Sequence, residues 1–164
     1  MTQTRRPVTI LLVEDDDGHA RLLERNLRRG GMVNRLMRVS DGQEAVDYVS
    51  HAGAYQDAEQ FPLPGVVLLD VRMPRLDGFE VLSRFKGDPR LMRIPVIMLT
   101  STDNQKEIDR AYQMGANGYV VKPVGIESLV DRVVKLGMFI EVIELPDQNG
   151  REHEGGAHER RLAG

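Results

Sequence analysis

The chain has no cysteine and no excess of positive charge, and its N-terminus carries no apolar run of membrane-spanning length. Without thiols there is no disulfide framework, no thiolate metal site and no cysteine nucleophile, so stability rests on core packing, and a reducing cytoplasm is the expected compartment. The opening stretch MTQTRRPVTILLVEDD holds only the short apolar segment from Val8 to Val13 before a cluster of acids. That is too short for a signal sequence or a membrane span and reads as a buried strand. A net charge of −3 offers no electrostatic footprint for nucleic acid, which needs Lys and Arg gathered on one face. Arg28, Arg29, Arg35 and Arg38 read as a solvated edge. There is no internal repeat, and 164 residues suit one domain with a tail.

What is present is a regular alternation. Strand-length apolar runs recur at Val8 to Val13, Val66 to Leu69 and Val96 to Leu99, with weaker ones at Leu36 to Val39 and Tyr119 to Val121. Between them, Ala20, Leu23 and Leu27; Ala45, Val46 and Val49; Phe79, Leu82 and Phe85; and Ile108, Ala111 and Tyr112 are spaced to form one apolar face each. Continuous Val, Ile and Leu runs suit strands covered on both faces. The expected fold is therefore α/β, a five-stranded parallel, doubly wound sheet with βα repeated five times.

Helix limits are marked chemically. Asp16 is placed to cap the first helix, Asp41-Gly-Gln-Glu44 has capping-box spacing, Asp103 precedes Gln105-Lys-Glu-Ile108, and Gly30-Gly31 and Gly115 stop their helices. The segment from His51 to Gly65 exceeds a typical connection and is expected to be a surface loop. A last helical pattern starts near Ile126 and extends as far as Leu145, either as one helix or as a short helix followed by a strand-like arm. Its apolar residues, from Ile126 through Phe139 to Ile143, fill more than one stripe, which suggests a homodimer or partner face. The expected organisation is a tail over 1–6, a domain over 7–145 and a disordered tail over 146–164.

In an open parallel sheet, functional groups gather at the carboxyl ends of the strands. Here those ends carry Glu14-Asp15-Asp16, Asp70, Thr100-Ser101 and Lys122-Pro123. Several carboxylates at one edge repel each other, and a hard divalent cation, Mg2+ being most available, relieves that repulsion. With the cation bound, Asp70 is placed to attack a phosphoryl group whose oxygens meet the cation, the Lys122 ammonium and the Thr100 hydroxyl. The product is an aspartyl phosphate. The four histidines show no ligand spacing and receive no role.

Glu14-Asp15, Asp70, Thr100-Ser101 and Lys122-Pro123 together resemble the receiver domains of bacterial two-component response regulators, over roughly residues 7 to 137. Asp70-Val-Arg-Met-Pro-Arg-Leu-Asp-Gly78 is similar to the family's phosphoacceptor loop, and Met114-Gly-Ala-Asn-Gly-Tyr-Val-Val-Lys-Pro123 to its fifth strand. The resemblance implies a flavodoxin-like fold, Asp70 as phosphoacceptor, Asp15 as a direct Mg2+ ligand, Glu14 acting through water, and the Arg72 carbonyl as a further oxygen. It implies Thr100 and Tyr119 as a switch pair, in which the aromatic ring turns inward behind the hydroxyl. It also implies Lys122 as the phosphoryl-binding lysine and a cis bond before Pro123. By position, Arg72 and Thr102 flank the water that hydrolyses the phosphoryl group. The long loop before the third strand and the closing Phe-Ile-Glu-Val-Ile-Glu-Leu-Pro146 further resemble the stand-alone regulators that accompany bacteriophytochromes and related sensor kinases.

Three functions compete. A phosphoacceptor receiver served by a sensor histidine kinase accounts for every marked residue. A pseudo-receiver, a binding module without the reaction, would be expected to lose an acid, the acceptor or the lysine, and all are present. An enzyme reading fails twice: an aspartate-nucleophile phosphohydrolase wants a second acid where Arg72 stands, and a dinucleotide fold wants a Gly-rich turn where Glu14-Asp15-Asp16 stands. Fewer than thirty residues follow the expected last helix. The signal is therefore expected to leave by protein contact, to a histidine phosphotransfer protein, a kinase or an effector reading Ile108 to Gln113, with neither nucleic acid nor membrane as partner.

Overall fold

The computed structural model describes residues 8–122. The N-terminal tail, the cis bond expected before Pro123, the last helical pattern from Ile126 and the C-terminal tail lie outside the described residues.

Five strands, β1 (Ile10–Val13), β2 (Leu36–Val39), β3 (Val66–Asp70), β4 (Val96–Thr100) and β5 (Gly118–Val121), form one parallel sheet in the order β2-β1-β3-β4-β5. Four helices, α1 (Asp17–Arg29), α2 (Gly42–Ser50), α3 (Gly78–Lys86) and α4 (Gln105–Gln113), connect them. This is the flavodoxin-like arrangement, with the strand order reversing beside β1 and β3.

The apolar runs are continuous because both sheet faces are covered. Leu11, Val13, Val67, Leu69, Val96, Met98 and Tyr119 pack with the buried faces of α2, α3 and α4. Ile10, Leu12, Val66, Leu68, Ile97, Leu99 and Val120 pack on the other side with Ala20, Leu23 and Leu27 of α1. Each fully buried aliphatic side chain contributes about 1.5–3 kcal/mol.

The helix caps differ in detail from their sequence signals. Asp16 accepts from His19 N at 2.8 Å, as expected. Asp41 accepts from Glu44 N, but Glu44 Oε2 in turn accepts from Ser40 N at 2.9 Å, one residue earlier than a capping box requires. Asn104, not Asp103, caps α4, accepting from Lys106 N. A complete capping box lies instead at Asp77 and Glu80.

The segment from His51 to Gly65 is held down rather than loose. Tyr48, Tyr55 and Phe61 form an aromatic cluster with ring centroids 5.0–5.9 Å apart. The Tyr48 hydroxyl donates to the Pro62 carbonyl at 2.9 Å, and His51 Nε2 lies 2.9 Å from the Phe61 carbonyl.

Candidate phosphoacceptor and metal site

Backbone pairing places the polar residues before any side chain acts. The sheet register carries Asp70 opposite Leu99 and Thr100 opposite Val121, while Lys122 N donates to the Thr100 carbonyl at 2.6 Å and Glu14 N to the Val39 carbonyl at 3.1 Å. Asp70 and Thr100 are thus the last residues of their strands, and Glu14 and Lys122 the first beyond theirs.

The turn after Asp70 is constrained at three points. A Cβ on Gly78 would lie 2.4 Å from the Asp70 carbonyl, so only glycine lets α3 begin this close to the end of β3. Gly78 N donates to the Val71 carbonyl at 2.8 Å. Arg75 adopts a left-handed φ of 67° and binds Asp41 through two nitrogens, tying the turn to the start of α2.

Glu14, Asp15 and Asp70 each offer a carboxylate oxygen, all within 4.8 Å of one another. Glu14 is 0% and Asp70 6% exposed, whereas Asp15 faces solvent. Lys122 Nζ contacts Glu14 Oε1 at 2.5 Å and lies 3.5 Å from Asp70 Oδ1. Burial, followed by the hydrogen bond and charge of Glu14, pushes the Asp70 carboxyl up to about 7. Burial opposes ionisation of Glu14 as well, but its hydrogen bonds with Asp70 and Lys122 outweigh that and hold it below the ordinary carboxylate range. Asp15 is raised by burial and by its hydrogen bond to Glu14. One ammonium does not neutralise three crowded acids. Their donors are all oxygens, so the set fits a hard divalent cation.

The remaining expected residues line the neighbouring side. The Thr100 hydroxyl accepts from Thr102 N at 3.2 Å, and the Thr102 hydroxyl accepts from Asn104 N at 3.2 Å, ordering the turn into α4. Tyr119 is 5% exposed, and its hydroxyl donates to the Thr102 carbonyl at 3.2 Å. Its ring is therefore already inward here, and burial raises its phenol. Arg72 pairs with α4, its Nη2 lying 3.6 Å from Glu107 Oε2.

Two neighbours receive no role in the sequence analysis. His19 Nδ1 lies 3.3 Å from Lys122 Nζ and 3.6 Å from Glu14 Oε1. Its place in the first turn of a helix capped by Asp16 aims it at the same edge as Glu14, and that spacing is the signal that finds it. Glu107 is brought to Arg72 by the packing of α4, which no local pattern reveals.

The family model for the response regulator receiver domain matches residues 10–134. The chain belongs to that family. Receiver domains are the switch modules of two-component systems; they bind a divalent metal ion, and their general function is phosphorylation on aspartate with Mg2+. The chain is 42% identical over 124 residues to the probable methanogenesis regulatory protein FilR2 of Methanothrix harundinacea, covering 75% of this chain and 77% of that protein. It is 32% identical over 145 residues to the response regulator Rcp1 of Synechocystis, covering 88% and 97%. The Mn2+-bound structure of Rcp1 superposes with a TM-score of 0.68 at 33% identity, over 86% of this chain and 100% of that one. The bacteriophytochrome response regulator RtBRR superposes with a TM-score of 0.74 at 36% identity, over 96% and 93%. Among the described residues no helix is long and apolar enough to cross a membrane.

Proposed function

We propose that Asp70 is the phosphoacceptor of this receiver domain. The observation that carries the reading is the convergence of Glu14, Asp15 and Lys122 on a strand-terminal Asp70 whose carboxyl is buried and crowded by like charge. Glu14, Asp15, Asp70 and the Arg72 carbonyl would hold the divalent cation, with Glu14 acting through water because Lys122 and Asp16 N already engage its two oxygens. When bound, the cation supplies positive charge to the phosphoryl oxygens and keeps Asp70 ionised.

The chain's own residues supply the remainder. The Asp70 carboxylate oxygen attacks phosphorus of a phosphohistidine or a small acyl phosphate. A P–O bond forms, the donor's P–N or P–O bond breaks, and the donor histidine takes up a proton. Lys122, held between Glu14 and Asp70, is placed to pair with a phosphoryl oxygen, and the Thr100 hydroxyl to donate to another. Tyr119, inward behind Thr100, fills the space that the turn vacates as Thr100 moves. Slow self-dephosphorylation follows when water reaches phosphorus past Arg72 and Thr102. The fitting donor is a sensor histidine kinase, and the similarity to Rcp1 and RtBRR favours one of phytochrome type. The outward signal then passes by protein contact through the α4 face.

The test is intact-mass analysis after incubation with acetyl phosphate and Mg2+. A single labile phosphoryl adduct that needs Mg2+ and is missing in Asp70→Asn is expected. Well-folded protein that takes no adduct from acetyl phosphate or from a panel of kinases would make the domain a binding module instead.

A further inference from the structure

Arg72 and Glu107 make an unequal pair. The Arg72 side chain is 73% exposed and that of Glu107 only 14%. Glu107 Oε1 is buried with no hydrogen-bond partner among the described residues. A buried carboxylate oxygen left unpaired is costly, so Glu107 gains from any cation it retains. Among the described residues Arg72 is its ion-pair partner. Arg110, which lines the same space, lies 4.1 Å over the Phe79 ring instead. Arg72 and Glu107 both border an open cleft of about 580 Å³, so the guanidinium has room to swing on its stem. Glu107 is anchored at its backbone, in the first turn of α4, where its N–H donates to the Asn104 carbonyl at 3.1 Å.

We propose that Glu107 is a positioning residue that sets the lifetime of the phosphoryl group by competing with it for Arg72. This rests on Asp70 being the phosphoacceptor. Phosphorylation replaces a carboxylate, two residues before Arg72, with a group of greater negative charge and more acceptor oxygens. Arg72 then divides its time between that group and Glu107. Hydrolysis adds a water oxygen to phosphorus, breaks the P–O bond to Asp70 and releases inorganic phosphate with the carboxylate restored. A guanidinium over the phosphoryl group obstructs the water; one held by Glu107 does not.

The experiment loads wild type, Glu107→Gln, Arg72→Ala and the double variant from acetyl phosphate with Mg2+, removes the donor and follows adduct loss by intact mass. Glu107→Gln is expected to lengthen the lifetime about two- to fivefold, the range open to a partly exposed ion pair. Arg72→Ala is expected to shorten it, and Glu107→Gln to change nothing further in the Arg72→Ala background. An unchanged lifetime in Glu107→Gln, or an equal change with and without Arg72, overturns the proposal. The Arg72 Nε resonance of the unphosphorylated chain is a separate readout: it is expected to move in Glu107→Gln, and an unmoved resonance also overturns the proposal. If the resonance moves but no chain takes up an Asp70-dependent adduct, the phosphoacceptor reading fails and the lifetime role with it, leaving only the ion pair.

Discussion

The carboxyl edge of the sheet and the segment from His51 to Gly65 are built on opposite principles. At the carboxyl edge, Glu14, Asp15 and Asp70 crowd together around one lysine, and burial sets the Asp70 carboxyl near 7. In the other region Tyr48, Tyr55 and Phe61 pack edge to face or tilted, and their neighbouring polar atoms find partners at ordinary distances. The first region costs stability in its metal-free form and the second supplies it. A domain can carry an unfavourable acidic site because favourable packing elsewhere offsets it.

The largest effect that would sharpen this contrast is in the aromatic cluster. Tyr48→Ala is expected to destabilise the protein by about 3–5 kcal/mol, read by denaturant unfolding, while leaving cation affinity per folded molecule unchanged. A loss of cation affinity in the folded variant would break the contrast.

Asp70→Asn should act in the opposite direction. The folded carboxyl titrates near 7 against an ordinary 3.8, so the fold favours the neutral acid. Its penalty is absent below pH ~4, grows as pH rises toward 7, and is fully present above. Asp70→Asn is therefore expected to stabilise the metal-free protein by up to about 4 kcal/mol at pH 8 and by little at pH 4. A gain equal at both values would contradict the electrostatic origin of the cost.

The cation should relieve the same cost. Since it displaces a proton from the acids, its affinity, read by calorimetry, is expected to weaken as pH falls below 7, approaching tenfold per unit. Arg75→Ala should have the smallest effect. The pair it makes with Asp41 is largely exposed on the arginine side, so a loss of up to about 1 kcal/mol is expected, softened by relief of the left-handed backbone only if glycine is used instead.

Most of this architecture was legible because its signals are local. Val66 to Leu69 followed by Asp70, and Val96 to Leu99 followed by Thr100, announce strands and the groups at their ends within a few residues. What stayed hidden depends on distance. His19 meets Lys122 across 103 positions of sequence, and Glu107 meets Arg72 only because α4 packs beside the turn after β3. The His51 to Gly65 segment read only as a surface loop, without its packing, because Tyr48, its anchor, lies in the preceding helix. Two cap details shifted by one residue, from Asp103 to Asn104 at α4 and from the Asp41 N–H to the Ser40 N–H as the donor to Glu44, a difference finer than residue type and spacing resolve.

The most direct test of the central claim is to locate the modified carboxylate. Borohydride reduces an acyl phosphate to an alcohol and leaves free carboxylates intact, so reduction after treatment with acetyl phosphate and Mg2+, followed by peptide mapping, names the acceptor. Reduction confined to Asp70 is predicted. Reduction at Asp15 or Asp16, with Asp70 untouched, would contradict the assignment of the site.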